Sequence, residues 1–467
     1  MAISSLGVGS GILTQDVLDQ LRAADEAGKI TPIDLNVALE NDKKDAMKII
    51  DANMENLIDS ITAIKTATLF DDRQTSVTGS SVSVTALSNS DIQDFTMDVT
   101  TLATKQIEES GAFSSESFLV ASEAGTMNLN IGYIDDDNPG EDFTINYDET
   151  TTLKDLKNLI NEEAGEKVDA TIVQINSGEF RLFISSVETG TSQNITITDN
   201  DGFLLDEDGD TGDTRLTDDM TAIQSGVDAE FTFNGQEITR SSNEVDDLVS
   251  GLTINLLETG SSSVSIAQNR DGIIEKFGNF VDKYNAAITE LDKMTKPSVD
   301  SSDRGIFSNE STIKNMKRVI EDMYSTIGGG VGSMNDYGFD VDKDGKMTFD
   351  KTIFEDKLDE NPNNVEAFFT GGTYTNADDS TTELDGAFVE YSDAIEAYTK
   401  YNAILDLFNT SITDKISYLE DKKETAVERL DAKYEIMKKQ YAAYDLIINQ
   451  LNSASSMFSQ MINTEDS

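Results

Sequence analysis

The stretch VERLDAKYEIMKKQYAAYDLIINQLNSASSMFSQMI, residues 427–462, decides how this chain is read. Its seam steps through Val427, Leu430, Tyr434, Met437, Tyr441, Tyr444, Ile448, Leu451, Ser455, Phe458 and Ile462 at alternating intervals of three and four. A stripe that narrow belongs to a helix that wraps a partner helix. Far upstream, MKIIDANMENLIDSITAIKTAT, residues 47–68, keeps the same beat at Met47, Ile50, Met54, Leu57, Ile61, Ile64 and Thr68. Either helix alone leaves its seam in water, so the two ends are expected to pair with each other or with other copies. The apolar seam residues form the candidate assembly interface. Tyrosines at such spacing are read as packing knobs and not as a ligand-stacking platform. Just before Val427 the seam reaches Lys423, where the step slips to four and four, and this stutter is expected to loosen the coil.

Between the two heptads the texture changes twice. Thr14 can cap a short helix bearing Val17, Leu18 and Leu21, with Gly28 as its terminator. Thr31 and Pro32 then restart the helix, Thr31 as cap and Pro32 in the first turn, where a missing N–H costs nothing. From residue 76 the pattern has period two: 76–87 reads as a strand, and Phe95, Met97 and Val99 mark another. In 228–240, Ala229, Phe231 and Phe233 alternate, Asn234-Gly235 supplies a two-residue turn, and Ile238 returns. Leu252, Ile254, Leu256, Val264 and Ile266 continue the alternation, and a strand-rich unit with one helix at 153–163 occupies 121–220. Helix returns at Ile273. The expected fold is α+β and multidomain, with N- and C-terminal helices paired as an antiparallel coiled-coil or helical-bundle stalk and β-rich head domains inserted between them. Expected boundaries are 1–44 with 412–467 for the leg, 45–74 with 271–411 for the helical bundle, which carries a hairpin near 339–350, 75–120 with 221–270 for one β-rich domain, and 121–220 for the outermost head.

Composition narrows the function. The chain of 467 residues carries 35 Lys+Arg against 88 Asp+Glu, a formal net charge of −53, which repels nucleic acid and anionic membrane surfaces. It has no Cys, His or Trp, so disulfides, thiolate chemistry and the commonest general base and metal ligand are all missing. No cofactor, metal or catalytic residue is expected. No apolar run approaches bilayer-spanning length and the first residues lack the pattern of a cleaved signal, so a soluble protein is expected.

Two acidic constellations have a bland reading that suffices. Asp340-Val-Asp342-Lys-Asp344-Gly345 imitates the start of a calcium loop, but its twelfth position is Lys351, a cation, so a turn between strands is the better reading. The run 199–219 holds nine acids and one base without any defined ligand spacing, and is read as a solvated loop. Gly9-Ser10-Gly11 lacks the Lys-Ser/Thr that a phosphate loop needs.

Several motifs in order resemble the flagellar filament cap family, the hook-associated protein 2 family. They are SSLGVGSGI at 4–12, FTMDVTTLA at 95–103, DAEFTFNGQEITRSSNEVDDLVSGLTINL at 228–256, FVDKYNAAI at 280–288, then Asp344-Gly345, Phe349-Asp350 and NPNNVEAFFTGG at 361–372. The first helix is more polar than the family pattern and the acidic run heavier. The resemblance implies a non-enzymatic cap at the distal tip of the bacterial filament, a ring-like homo-oligomer, usually a pentamer, that retains exported flagellin and promotes its folding and polymerisation. It further implies export by the flagellar type III route without a cleaved signal peptide, and a chaperone on the C-terminal helix. Rival readings are a flagellin or hook–filament junction protein, and a surface adhesin whose β domains bind host mucin or glycans. A carboxylate-based hydrolase is a third, with no acid pair in a recognisable motif to support it.

Overall fold

The computed structural model describes residues 7, 11, 14–66, 68–132, 138–206, 216–326 and 330–465, with the side chains of 325–326 and 462–465 left aside. The helices are α1 (Gln15–Lys29), α2 (Thr31–Lys65), α3 (Leu153–Ala164), α4 (Arg270–Thr295), α5 (Ser311–Thr326), α6 (Lys351–Glu360), α7 (Pro362–Thr370), α8 (Ala387–Thr399) and α9 (Ile404–Glu465). The chain divides into two compact units, Met1–Leu69 with Arg270–Ser467, and Phe70–Asn269. It is mixed helix and sheet, with helical ends and a strand-rich middle.

In the helical unit, α1 starts where expected, with the Thr14 side chain accepting from Val17 N. Its end differs. Gly28 stays in the right-handed helix, and the break falls at Ile30, which caps α2 while Thr31 lies inside that helix without a capping bond. Ile33 N and Asp34 N both donate to Ile30 O, at 2.8 and 3.0 Å, so the junction is a helical elbow. Pro32 is the cause, since it lacks the donor that would carry the ladder across. At its far end α2 stops at Lys65, short of Thr68.

Met47, Ile50, Met54, Leu57, Ile61 and Ile64 are all 0–1% exposed. Along this face α2 packs on α4, α8 and α9. The core of the bundle is aromatic: Phe277 of α4 is ringed by Phe339, Phe349, Phe354, Phe369 and Phe388 at centroid separations of 4.7–6.2 Å. Such rings favour tilted and edge contacts, which the interplanar angles of 35–66° reflect. The calcium-like sequence is a turn between Phe339–Val341 and Met347–Phe349. Asp342 closes it by accepting from Asp344 N and Lys346 N at 2.8 and 2.9 Å, and Gly345 takes a φ of +78° that side chains resist.

The strand-rich unit has two cores. The first lies between a five-stranded antiparallel sheet, in the order Arg73–Thr78, Gly260–Gln268, Gln93–Thr101, Ala229–Phe233 and Gln236–Arg240, and a three-stranded sheet of Glu244–Val245, Leu252–Leu256 and Val82–Ala86. The expected hairpin is present: Phe231 pairs with Ile238, and Asn234 and Gly235 have φ of 49° and 82°, the positive pair a type I′ turn requires. The expected single strand over 76–87 is two strands in different sheets, split where Gly79 turns at φ +118°. The second core gathers α3 with two further sheets. Ile107–Glu109 bonds to Glu179–Ser186 and Phe113 is buried in this second core, so 107–120, expected with the first β-rich domain, packs with the head.

Candidate assembly interface

The long helix α9 lies antiparallel to α1 and the start of α2, and a ladder of ion pairs sets the register. Arg22 Nη2 meets Asp431 Oδ1 at 2.5 Å, Lys433 Nζ meets Asp25 Oδ2 at 2.5 Å, Lys423 Nζ meets Asp34 Oδ1 at 2.7 Å, and Lys415 Nζ meets Glu40 Oε1 at 2.6 Å. From the upper two rungs (Arg22 and Asp25 with Asp431 and Lys433) to the lower two (Asp34 and Glu40 with Lys423 and Lys415), numbers rise along α1–α2 and fall along α9. Beneath the upper rungs lies a small apolar cluster of Leu18, Leu430 and Tyr434, flanked by Ile30, Met437 and Tyr441. Leu18 is the α1 knob that the polar sequence around it conceals.

Asp25 is the centre of the upper ladder. It receives hydrogen bonds from Lys433 Nζ and from the Tyr434 hydroxyl at 2.8 Å, and these hold its carboxyl down at about 2. The same contact raises Lys433, whose ammonium also stands 5.3 Å from the centre of the Tyr434 ring. At the lower end Glu40 is buried between Lys43 and Lys415. Exposed rungs contribute little each, but Glu40 is out of water and needs its cations. The Lys423 stutter is a rung of the ladder within an unbroken helix, so the structure shows no loosening there.

The seam residues therefore part into three groups. Met47, Ile50, Met54, Leu57, Ile61 and Ile64 are sealed inside the bundle and offer nothing to a second molecule. They do not answer the C-terminal heptad, because the partner of α9 over 430–441 is α1 and not the 47–64 face. Leu430 and Tyr434 are buried in the cluster, with Val427, Met437 and Tyr441 half-buried. Beyond these, Ile448 is half-buried while Tyr444, Leu451 and Phe458 are 56%, 63% and 68% exposed. The side chain of Ile462 lies outside the described residues, as do most of 4–12 and the middle of the acidic run. Among the described residues no helix is long and apolar enough to cross a membrane, and no group of three or more acids is placed to hold a metal ion.

Two asparagines of the motifs quoted above clamp distant segments together. The Asn243 side chain makes both backbone hydrogen bonds to Ala103, each 2.8 Å, which ties the end of 95–103 to 228–256. Asn285 does the same to Met347, at 2.8 Å in both directions, and Lys346 Nζ donates to Asn285 O at 2.7 Å. Asn361 caps α7, which begins at Pro362 and buries Phe368 and Phe369.

These segments are where known families match. The model for the flagellar hook-associated protein 2 N-terminus matches residues 10–106, and the model for its C-terminus matches 226–453. The chain belongs to the flagellar hook-associated protein 2 family. A flagellar hook-associated protein 2 from Campylobacter jejuni is 28% identical over 80% of this chain and 65% of its own length. One from Helicobacter pylori is 30% identical over 51% of this chain and 36% of its own, so this chain spans less than two thirds of either relative. The hook-associated protein 2 of Escherichia coli is 24% identical over 98% of both. A crystal structure of the flagellar cap protein of Escherichia coli shares the fold, with a TM-score of 0.59 at 20% identity, covering 79% of this chain and 99% of that one.

Proposed function

We propose that this chain caps the distal tip of a bacterial flagellar filament, where it retains exported flagellin and promotes its folding and polymerisation. One observation carries the reading beyond family membership: α9 is locked to α1 over 430–441, yet its distal seam at Tyr444, Leu451 and Phe458 stands in water. An exposed apolar stripe of this length marks a surface that a partner covers. Before export that cover is a chaperone of the flagellar type III route; after assembly it is flagellin and neighbouring copies in a ring, which we take to be a pentamer. The finer division into a leg (1–44 with 412–467) and a bundle (45–74 with 271–411) belongs to this proposal: the leg holds the ladder, the bundle the buried seam. The chain works by contact and not by turnover.

The test is complementation of a deletion strain with L451D/F458D. The reading expects flagellin shed unpolymerised into the medium and lost swimming in soft agar, with secretion of the variant and its helical content unchanged. Full motility with long filaments would refute it.

A further inference from the structure

The helical unit carries two further heptad stripes that its own fold leaves largely uncovered. On α2, Leu35, Leu39, Asp42, Ala46 and Ile49 step by four and three; Ala46 is buried, Leu35, Leu39, Asp42 and Ile49 are exposed, and Asp42 has no ion-pair partner among the described residues. On α9, Tyr418, Lys422, Thr425, Arg429, Ala432 and Ile436 step by four and three, all of them exposed. Lys422 and Arg429 likewise have no ion-pair partner among the described residues, although Lys415, Lys423 and Lys433 of the same helix all do. This second stripe edges a groove of about 770 Å³ whose floor includes Ile33, Ala426 and Leu430. Its lining holds one acid, Asp421, against Lys29, Lys422, Arg429 and Lys433, so in a chain of net charge −53 this is a cationic groove that favours an acidic partner.

We propose that the α2 stripe of one copy docks in the α9 groove of the next, with Leu35 and Leu39 on the apolar floor and Asp42 facing Lys422 and Arg429. The occupant is a second copy because one chain holds both halves: an exposed heptad stripe with one acid at its centre, and a heptad stripe with two bases that have no ion-pair partner among the described residues. The two stripes are different surfaces, so the contact is head-to-tail, the kind that closes into a ring when its rotation permits. The proposal rests on the cap reading and names the contact through which copies of the cap meet.

The experiment mixes two variants of the full chain, L35S/L39S and K422E/R429E, and reads mass by sedimentation. All four positions face solvent, so the fold is retained, which circular dichroism checks. Each variant alone is expected to assemble about tenfold or more weakly than the unsubstituted chain, the range for truncated interface side chains. An equimolar mixture is expected to form one-to-one dimers that grow no further, because each dimer has one intact donor stripe facing one intact groove. Assembly of either variant at unsubstituted strength, or a mixture that stays monomeric, overturns the proposal. Since the chain has no cysteine, L39C/A426C gives a second readout: a ladder of disulfide-linked multimers on mild oxidation supports it, and monomer alone counts against it. Variants that assemble normally but no longer bind flagellin would assign the groove to flagellin, sinking the proposal while leaving the cap reading intact. An unsubstituted chain that neither assembles nor restores motility counts against the cap reading itself.

Discussion

Leu430 and Leu451 occupy equivalent seam positions three heptads apart, and their alanine variants should behave oppositely. Leu430 is 2% exposed and is one of three fully packed side chains that hold α1 to α9. Truncating it removes three buried carbons, about 2.4 kcal/mol at roughly 0.8 kcal/mol each. A cavity adds to this only where neighbours cannot collapse, and the half-buried rim of Met437 and Tyr441 can, so the low end of the ~2–5 kcal/mol range applies. Because the cluster is small and local, the cost falls on α1 opening from α9 and not on the aromatic bundle. At about 1.4 kcal/mol per decade, ~2.4 kcal/mol raises the open population roughly fiftyfold. Hydrogen exchange read by mass spectrometry should show that acceleration in peptides from α1 and from 427–441, with α4 and α8 unchanged. Leu451→Ala removes a side chain that already stands in water and should shift exchange by a factor of about two or less. Unchanged α1 exchange in Leu430→Ala, or an equal effect from Leu451→Ala, would refute the division of the seam into locked and free halves.

Three further outcomes follow from particular contacts. Asp25 is held at about 2 against an ordinary 3.8, so its contribution to the α1–α9 pairing is present above about pH 4 and disappears as pH falls through 2; exchange in α1 should accelerate over that window, and Asp25→Asn should be frayed already at neutral pH and flat across it. Removing one cation from Glu40 leaves the other, so Lys43→Ala and Lys415→Ala should each cost less than about 1 kcal/mol, while the double variant strands a buried carboxylate and should cost about 3–5 kcal/mol in thermal or denaturant melts. Phe277→Ala opens the centre of the aromatic core and should cost about 3–5 kcal/mol, read as lost protection in α4 and α7.

Local rules read much of this chain correctly where the decisive partners are close in sequence. Asn234-Gly235 demanded a hairpin because few other residue pairs tolerate two positive φ values, and Asp342 with Gly345 demanded a turn for a related reason. The errors fall where a local rule met a long-range competitor. Gly28 looked like a terminator, but α1 and α2 share a continuous packing surface with α9, and only the missing Pro32 donor marks the elbow. Gly79 hid inside a Ser/Thr/Val run because the reason for its turn, the transfer of Val82–Ala86 to another sheet, lies in residues 252–256. Leu18 was legible as an apolar helix residue, but its role as the knob under Leu430 was not, since that partner is some four hundred positions away.

The sequence by itself determined the kinds of element, the periodicity of each, the acidic surface and the absence of histidine and thiol chemistry. These depend on backbone preference, side-chain spacing and counts, all of which are local. Only the tertiary structure decided which seam is core and which is surface. Met47 to Ile64 and Tyr444 to Phe458 carry the same three-four beat, yet one is sealed and the other stands in water. A heptad states that a helix needs a cover; what supplies the cover is set by contacts across the whole chain.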